Sequence, residues 1–210
     1  MLPALEIQNH PQLEGPNGPG TLLLRAKEVA FLEGESGSGK TRLLRRLLDL
    51  DADTHGDVFL AGTPLAEISV RELRQRVGWL PQDLPDHRGT GRELLHRIRS
   101  FARNRDCLDE TALGSWKELL ELEPHLDTEI RLLSGGEKRR LSLLTVMIPC
   151  PQVLLFDEPE TGLDPRRREA LDRFVVRAVD EGKAILWVSH REQTAAFATA
   201  PRYRVVRRSA

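Results

Sequence analysis

The segment at residues 34–41, Gly-Glu-Ser-Gly-Ser-Gly-Lys-Thr, constrains the fold of this chain most strongly. It has the spacing GxxxxGK[ST], and it stands between an apolar run at 29–32 and an amphipathic, leucine-rich pattern at 40–50. A strand, a glycine loop and a helix in this order predict a loop whose backbone N–H groups surround a phosphate. The candidate binding residues are Gly34, Glu35, Ser36, Gly37, Ser38, Gly39, Lys40 and Thr41. In such loops the lysine contacts the β- and γ-phosphates and the last hydroxyl coordinates Mg²⁺.

Further apolar runs at 57–61, 77–80, 153–156 and 184–188 alternate with helical patterns. This alternation is typical of parallel strands covered by helices, so the sequence predicts an α/β fold with a mostly parallel sheet.

Between residues 83 and 148 strand signals vanish and helix signals dominate, which predicts a helical subdomain inserted into the sheet. Asp164 and Pro165 then form a good helix start, and the helix should run to about residue 182. We expect one domain over residues 1–210, with a core of 1–82 and 149–210 and a helical subdomain at 83–148.

The bulk properties exclude several classes of protein. A chain of 210 residues with 30% charged residues and a net charge of -1 fits a globular protein and argues against an obligate nucleic-acid binder. Its longest apolar runs fall far short of the roughly 20 residues that cross a bilayer. The N-terminus does not read as a signal peptide, and two cysteines without CxxC spacing fit a reducing compartment. We therefore expect a cytoplasmic location.

Two carboxylates follow the apolar run at 153–156. Ligands of open α/β sheets bind beyond the carboxyl ends of the strands, so Asp157 is placed to hold Mg²⁺. Glu158 is then the candidate that polarises or deprotonates the attacking water. An Asp-Glu pair after a strand is often only a loop start, but the loop at 34–41 favours the functional interpretation.

The segment Leu-Ser-Gly-Gly-Glu at residues 133–137 resembles the signature of the ATP-binding cassette (ABC) family. Ser134 and Glu137 have capping-box spacing, and Gly135 and Gly136 leave backbone N–H groups open to an anion. A plain helix cap would explain the serine and the glutamate but not the glycine pair. The resemblance covers nearly the whole chain, and it implies that Ser134, Gly135 and Gly136 face the γ-phosphate held by a second subunit.

The same resemblance implies roles for three more residues. Gln82 matches the Q-loop glutamine that senses Mg²⁺ and the attacking water, and Asp164 matches the D-loop aspartate that communicates across the dimer. His190 matches the switch histidine that bonds the γ-phosphate. The implied fold is a P-loop NTPase core with an inserted helical subdomain, and the implied cofactors are ATP and Mg²⁺.

Two departures from the family pattern stand out. The family stacks the adenine on an aromatic residue near the position of Leu13, but no aromatic residue precedes Phe31, which belongs to a core strand. We therefore expect weaker or less base-selective nucleotide binding. Glu160 places a further negative charge near Asp157 and Glu158.

The resemblance implies an ATP-hydrolysing subunit of an ABC transporter. Its partners would be a second ATPase cassette, identical or not, in a head-to-tail pair and a membrane permease that docks on residues 83–95, with no nucleic acid. The subunit would be peripheral on the inner face of the membrane. The segment at 185–190 is similar to ATPases of the Fet iron-export type.

Two other functions fit parts of the sequence. A soluble ABC-type ATPase acting in DNA repair or on ribosomes would usually carry a coiled-coil or zinc-binding insertion or a second cassette, and none is visible. A small-molecule kinase with the same phosphate loop would not explain residues 133–137 or His190.

Overall fold

The computed structural model describes residues 2–48, 57–101, 104, 107–189 and 195–207. The strands are β1 Leu5–Gln8, β2 Leu13–Glu14, β3 Leu22–Leu24, β4 Val29–Glu33, β5 Asp57–Leu60, β6 Thr63–Pro64, β7 Val77–Leu80, β8 Val153–Asp157, β9 Ala184–Val188 and β10 Arg202–Val205. The helices are α1 Lys40–Arg46, α2 Val70–Arg76, α3 Gly91–Ser100, α4 Glu110–Leu119, α5 Gly135–Met147 and α6 Pro165–Asp180, with short 3₁₀ turns between some of them.

The central sheet has six strands in the order β2-β10-β4-β9-β8-β7. Strands β10, β4, β9, β8 and β7 run parallel, and β2 joins the edge antiparallel to β10. Register pairs Leu32 with Val188 and Val188 with Asp157. The carboxyl ends of β4, β9 and β8 therefore lie side by side, which confirms the predicted α/β fold with a mostly parallel sheet.

A second sheet was not predicted. Its four strands, in the order β3-β1-β5-β6, are all antiparallel. The run at 57–61 does form a strand, but its assignment to the parallel sheet was wrong because β5 pairs with β1, Leu60 opposite Leu5. The strand at 202–205 was also missed, and it supplies one edge of the central sheet.

Both faces of the central sheet are covered. Alternate residues of each strand face opposite sides, and the two sides carry separate buried clusters. One face, which includes Phe31, Phe156 and Trp187, packs against α3 to α6. The other face, which includes Leu32 and Leu155, packs against α1, α2 and the antiparallel sheet. Burial on both faces explains why β4, β8 and β9 are continuous apolar runs.

The helices follow the predicted pattern with different ends. Helix α1 ends at Arg46, earlier than expected, and residues 49 and 50 lie outside the described part. Helix α6 starts at the expected N-cap, Asp164, and ends at Asp180. The described residues of 83–148 form α3, α4, α5 and turns, with one isolated bridge between Thr90 and Glu129. Within the described residues no helix has the length and apolarity needed to span a membrane.

A ladder of aromatic rings links α4 to the central sheet. Trp116 of α4 lies 4.9 Å from Phe174 of α6, measured between ring centroids, and Phe174 lies 6.2 Å from Phe156 of β8. Trp187 of β9 continues the ladder at 6.4 Å from Phe156 and 5.4 Å from Phe31 of β4. Tilted and edge-on contacts of this kind stabilise a core beyond the area they bury.

Candidate functional site

The loop at residues 34–39 joins β4 to α1 at the carboxyl edge of the sheet. Its glycines adopt positive φ angles, 147° at Gly34, 75° at Gly37 and 105° at Gly39. Most other residues would be strained in these conformations. Gly39 is also the N-cap of α1 and forms no side-chain cap. The loop therefore leads directly into α1 with no side chain covering the first turn, as binding of an anion requires.

Lys40 organises this loop. Its Nζ donates hydrogen bonds to the carbonyl oxygens of Gly34, at 2.8 Å, and Glu35, at 2.9 Å. The side chain is buried, and burial lowers the pKa of the Lys40 amine, against the opposing attraction of Glu158 and Asp157. An ammonium group held within the loop, close to two carboxylates, is well placed to contact phosphate oxygens.

Asp157 ends strand β8 and is almost fully buried, with 1% of its surface exposed. Neither of its carboxylate oxygens has a partner with hydrogen-bonding geometry among the described residues. Burial raises the pKa of Asp157, and the nearby Thr41 hydroxyl lowers it in part. An orphaned buried carboxylate beside a hydroxyl fits a site for a hard cation with oxygen ligands, such as Mg²⁺.

The described residues contain no group of three or more His, Cys, Asp or Glu side chains that could hold a metal ion. A magnesium ion held by Thr41 and Asp157 would therefore take further ligands from phosphate oxygens and water. Magnesium commonly binds in this way, through one or two protein ligands and a nucleotide.

Glu158 and Gln82 meet at this edge. Gln82 lies in the turn after β7, and its Nε2 donates to Glu158 Oε2 at 3.1 Å. Thr161 Oγ1 donates to the same oxygen at 3.3 Å. Glu158 has a φ of 49°, in the left-handed region, and its N–H donates to the Val188 carbonyl at 3.0 Å. A non-glycine residue held in this conformation is uncommon, and such residues cluster at active sites.

The signature segment begins helix α5. Ser134 is the N-cap and accepts a hydrogen bond from the Glu137 N–H at 3.4 Å, while Glu137 Oε2 accepts one from the Ser134 N–H at 2.7 Å. The predicted capping box is thus confirmed. The bond from the Ser134 N–H lowers the pKa of Glu137. Ser134 and Gly135 are exposed. Their hydrogen bonds among the described residues stay within this helix start and do not reach the loop at 34–41.

Asp164 lies next to the signature segment. It caps α6 by accepting from the Arg167 N–H at 2.9 Å, and it forms an ion pair with Arg167 Nη1 at 3.3 Å. The Arg167 side chain lies against Gly136, so close that a Cβ on Gly136 would stand 3.0 Å from it. The structure therefore connects Asp164 with the signature segment through Arg167.

Other residues near the site were not among the predicted site residues. Arg139 of α5 is buried, and its Nη1 and Nη2 donate to the carbonyl oxygens of Pro81 and Gln82, both at 2.7 Å. Glu160 is buried and accepts from Trp187 Nε1 at 2.9 Å and Ser189 Oγ at 2.5 Å. Sequence analysis identified Glu160 only as a further negative charge near Asp157 and Glu158. It gave no indication of a role for Arg139.

Near the position where the family carries its aromatic residue, the chain has Leu13, which is buried in β2 opposite Val205. The exposed Arg207 lies beyond Val205, and its Nη2 donates to the Ser36 carbonyl of the loop at 3.0 Å. His190, predicted as the switch histidine, lies outside the described residues.

Comparison with known proteins identifies the family. A family model described as "ABC transporter" matches residues 18–161, more than half of the chain. The chain belongs to the ABC transporter family. The matched residues include the loop at 34–41, Gln82, the signature segment and the carboxylates Asp157 and Glu158, and they end before Asp164 and His190.

Curated relatives of this ABC transporter domain include much longer proteins. The chain is 38% identical over 177 residues to human "Phospholipid-transporting ATPase ABCA3", matching 81% of this chain and 10% of that protein. It is 39% identical over 171 residues to "Nod factor export ATP-binding protein I" of Burkholderia lata, matching 80% of this chain and 55% of that protein. The chain thus spans about a tenth of the length of the first relative and about half of the length of the second. They give no support to the expected similarity to Fet-type exporters.

Solved structures share the fold of this ABC transporter domain. "Structure of ATP binding subunit of ABC transporter" superposes with a TM-score of 0.72 at 22% identity, covering 89% of this chain and 79% of that chain. "Structure of a bacterial Atm1-family ABC exporter with ATP bound" gives a TM-score of 0.73 at 23% identity, covering 95% and 36%. At these identities the likeness concerns the fold.

Proposed function

We propose that this chain binds and hydrolyses ATP as the ATP-binding subunit of an ABC transporter, and that it drives a separate membrane permease. The observation that carries the proposal is the arrangement at the carboxyl edge of the sheet. A glycine loop at this edge holds the buried side chain of Lys40. Nearby lie the Asp157 carboxylate, which has no hydrogen-bond partner among the described residues, and Glu158, which accepts a hydrogen bond from Gln82. An anion-binding loop, a cation site and a general base are the three parts that phosphoryl transfer to water requires.

The loop and Lys40 bind the triphosphate. Backbone N–H groups of residues 34–41 surround the phosphate oxygens, and Lys40 contacts the β- and γ-phosphates. Thr41, Asp157 and Gln82 would hold Mg²⁺, which neutralises charge on the phosphates when bound. Within this set, Asp157 is the residue whose carboxylate oxygens have no hydrogen-bond partner among the described residues, so they can coordinate a metal ion.

Glu158 accepts the proton of the attacking water or polarises it. A general base must lie within hydrogen-bonding reach of the proton that it removes. Gln82, which donates to Glu158 Oε2, orients this carboxylate and the water. His190 follows β9 in the sequence, and we assign it a hydrogen bond to the γ-phosphate.

The exposed signature residues serve a second cassette. Among the described residues, Ser134, Gly135, Gly136 and Asp164 form no hydrogen bond or ion pair with the phosphate loop of their own chain. We propose that they face a nucleotide held by an identical partner. Head-to-tail pairing of two copies about a twofold axis gives two such sites. The core of 1–82 and 149–210 would supply one side of each site, and the helical subdomain of 83–148 the other.

The name of one relative favours export. One acts in Nod factor export and another transports phospholipids, and both are ATPases or ATP-binding proteins by name. We propose an exporter whose permease docks on residues 83–95, so that the subunit lies at the inner face of the membrane. ATP closes the pair and hydrolysis opens it, which moves the permease through contacts to the γ-phosphate.

The test is affinity purification of the tagged Glu158→Gln chain from detergent-solubilised cells with ATP present. The substitution keeps the shape of the side chain and removes the base, so hydrolysis should fall at least about 100-fold while ATP binding persists. A polytopic membrane protein should co-purify with it. The matched control Glu169→Gln alters an exposed glutamate of α6 and should retain both this partner and normal hydrolysis. Enrichment of ribosomes or DNA-associated proteins, without a membrane partner, would refute the transporter function.

A further inference from the structure

Glu160 fastens two elements of the site to each other. It follows Glu158 by two residues and is buried, with 7% of its surface exposed. One carboxylate oxygen accepts from Trp187 Nε1 at 2.9 Å, and the other accepts from Ser189 Oγ at 2.5 Å. Trp187 belongs to β9, and Ser189 follows β9 directly. Glu160 therefore ties the segment after Glu158 to the end of the neighbouring strand.

A buried carboxylate is costly unless a cation or several hydrogen bonds compensate its charge. The two hydrogen bonds supply this compensation. A second buried charge, Arg139, lies in the same region of the described chain but forms no ion pair with Glu160 within 4 Å. Arg139 is also buried, with 5% of its surface exposed. Burial lowers the pKa of Arg139, and attraction to Glu160 is the largest effect that opposes this change.

Arg139 carries the connection to a third element. Two of its N–H groups donate to the carbonyl oxygens of Pro81 and Gln82, both at 2.7 Å, which holds the turn after β7. This turn presents the Gln82 side chain to Glu158. Since Arg139 lies on α5, the same helix begins at the signature segment and fixes the Gln82 turn.

The buried charges thus lie between the segments that carry the proposed catalytic groups. Gln82 is on the turn held by Arg139, and Glu158 is two residues before Glu160. His190 is the next residue in the sequence after Ser189. The hydrogen bonds of Glu160 and those of Arg139 therefore act on neighbouring segments of the same site.

We propose that Glu160 is a positioning residue for ATP hydrolysis. It fixes the segment that follows Glu158 against the end of β9. Arg139 holds the turn that carries Gln82 through hydrogen bonds of its own. The inference rests on the proposed ATPase function. It assigns a role to a residue that, among the described residues, forms no hydrogen bond or ion pair with the phosphate loop or its lysine.

If Glu160 has this role, its loss should lower the rate of ATP hydrolysis but not the affinity for ATP. Lys40 is held by the carbonyl groups of Gly34 and Glu35, and Glu160 contacts none of these. Loss of Glu160 should therefore leave ATP binding nearly unchanged while it disturbs the position of the attacking water. Misplacing a catalytic group by about 1 Å can lower the rate by about 100-fold, and we expect a smaller displacement here.

The experiment compares Glu160→Ala, Glu160→Gln and the control Glu169→Gln in the full chain. We expect Glu160→Ala to lower kcat about tenfold, with the Kd for ATP within about twofold of wild type. Glu160→Gln should lose less, because its amide oxygen can accept from Trp187 and its amide N–H can donate to Ser189. Glu169→Gln should change neither quantity.

Trp187 gives a second readout that does not depend on activity. The chain has three tryptophans, so its ¹H–¹⁵N spectrum shows three indole N–H signals, and Trp187→Phe identifies the relevant one. Glu160→Ala should shift the Trp187 signal, while Glu169→Gln should not. Ser189→Ala, which removes one donor without touching a buried charge, should lower kcat about threefold and serves if Glu160→Ala does not fold.

The outcomes separate the inference from the function. A Glu160→Ala chain that folds, shows the shifted Trp187 signal and keeps its kcat overturns the inference alone. A loss of ATP affinity equal to the loss of rate also overturns it, because that result indicates general damage to the fold. A wild-type chain that neither binds nor hydrolyses ATP overturns the proposed function and the inference with it.

Discussion

Two glycine-rich segments lead into helices in this chain, and they differ in how the helix start is completed. Before α1, Gly34, Gly37 and Gly39 take positive φ angles and no side chain caps the helix. Before α5, Ser134 and Glu137 form a capping box, and the following Gly135 has ordinary helical geometry. The first segment is shaped by backbone conformation, and the second by side-chain hydrogen bonds.

This difference predicts that the first segment binds phosphate within its own chain and that the second contacts a nucleotide held by a second copy. The loop before α1 leaves its N–H groups for a ligand and places a buried ammonium group among them, so it should bind phosphate within one chain. The start of α5 already satisfies part of its first turn, and Glu137 adds a negative charge there. It should therefore add to a site only when a second copy brings a nucleotide to it.

The largest expected effect concerns the two lysines at these helix starts. Lys40→Ala removes a charge-assisted contact to phosphate and should raise the Kd for ATP about 10- to 100-fold. Lys138→Ala is the matched control, because Lys138 lies in the first turns of α5 and donates to the Arg131 carbonyl at 3.3 Å. It should change the Kd by less than about twofold. Titration calorimetry on dilute protein measures both, and equal effects would remove the distinction between the two segments.

A second prediction concerns the two glycines at equally open positions. An added Cβ would meet no described atom within 4 Å at either Gly39 or Gly135, but Gly39 has a φ of 105°. Gly39→Ala should therefore lower the free energy of unfolding by about 1–3 kcal/mol through backbone strain. Gly135→Ala should change it by less than about 1 kcal/mol, because alanine suits a helix. Urea unfolding followed by circular dichroism compares them, and a smaller cost at Gly39 would contradict the assigned conformation.

The smallest expected effect is a pH dependence at the start of α5. The hydrogen bond from the Ser134 N–H keeps the pKa of Glu137 below its ordinary value of 4.5. The charge therefore stabilises the fold above the unfolded-state pKa, and this stabilisation is lost as pH falls through the folded-state pKa. Glu137→Gln should lower the free energy of unfolding by about 0.3–1 kcal/mol at pH 7 and by less at pH 3. A difference that stays constant between these pH values would contradict the assignment.

The sequence predicts best what depends on neighbouring residues. The loop at 34–41 and the capping box at Ser134 are local patterns, so both were found. The family resemblance assigned Gln82 to the site, but its hydrogen bond to Glu158 was not predicted, because the two residues are 76 positions apart in sequence. The antiparallel sheet was missed because β1 pairs with β5 across more than 50 residues of sequence, and its strands have two to four residues. Such pairing leaves little local trace.

The sequence also did not predict which charged residues are buried. Arg139 and Glu160 are residue types that usually stay exposed, so the sequence favours a solvated position for both. Their burial comes from contacts with Gln82 and Ser189, which are distant in sequence. A charged residue inside a fold of this kind is found only when the surrounding elements are in place.

The aromatic ladder from Trp116 to Phe31 has a consequence for local unfolding of the molecule. Because these rings join α4 to α6, β8, β9 and β4, the helical segment at 83–148 shares one cooperative unit with the central sheet at this point. Amide hydrogens of α4 should then exchange with solvent on the timescale of β8 rather than that of a separate lobe.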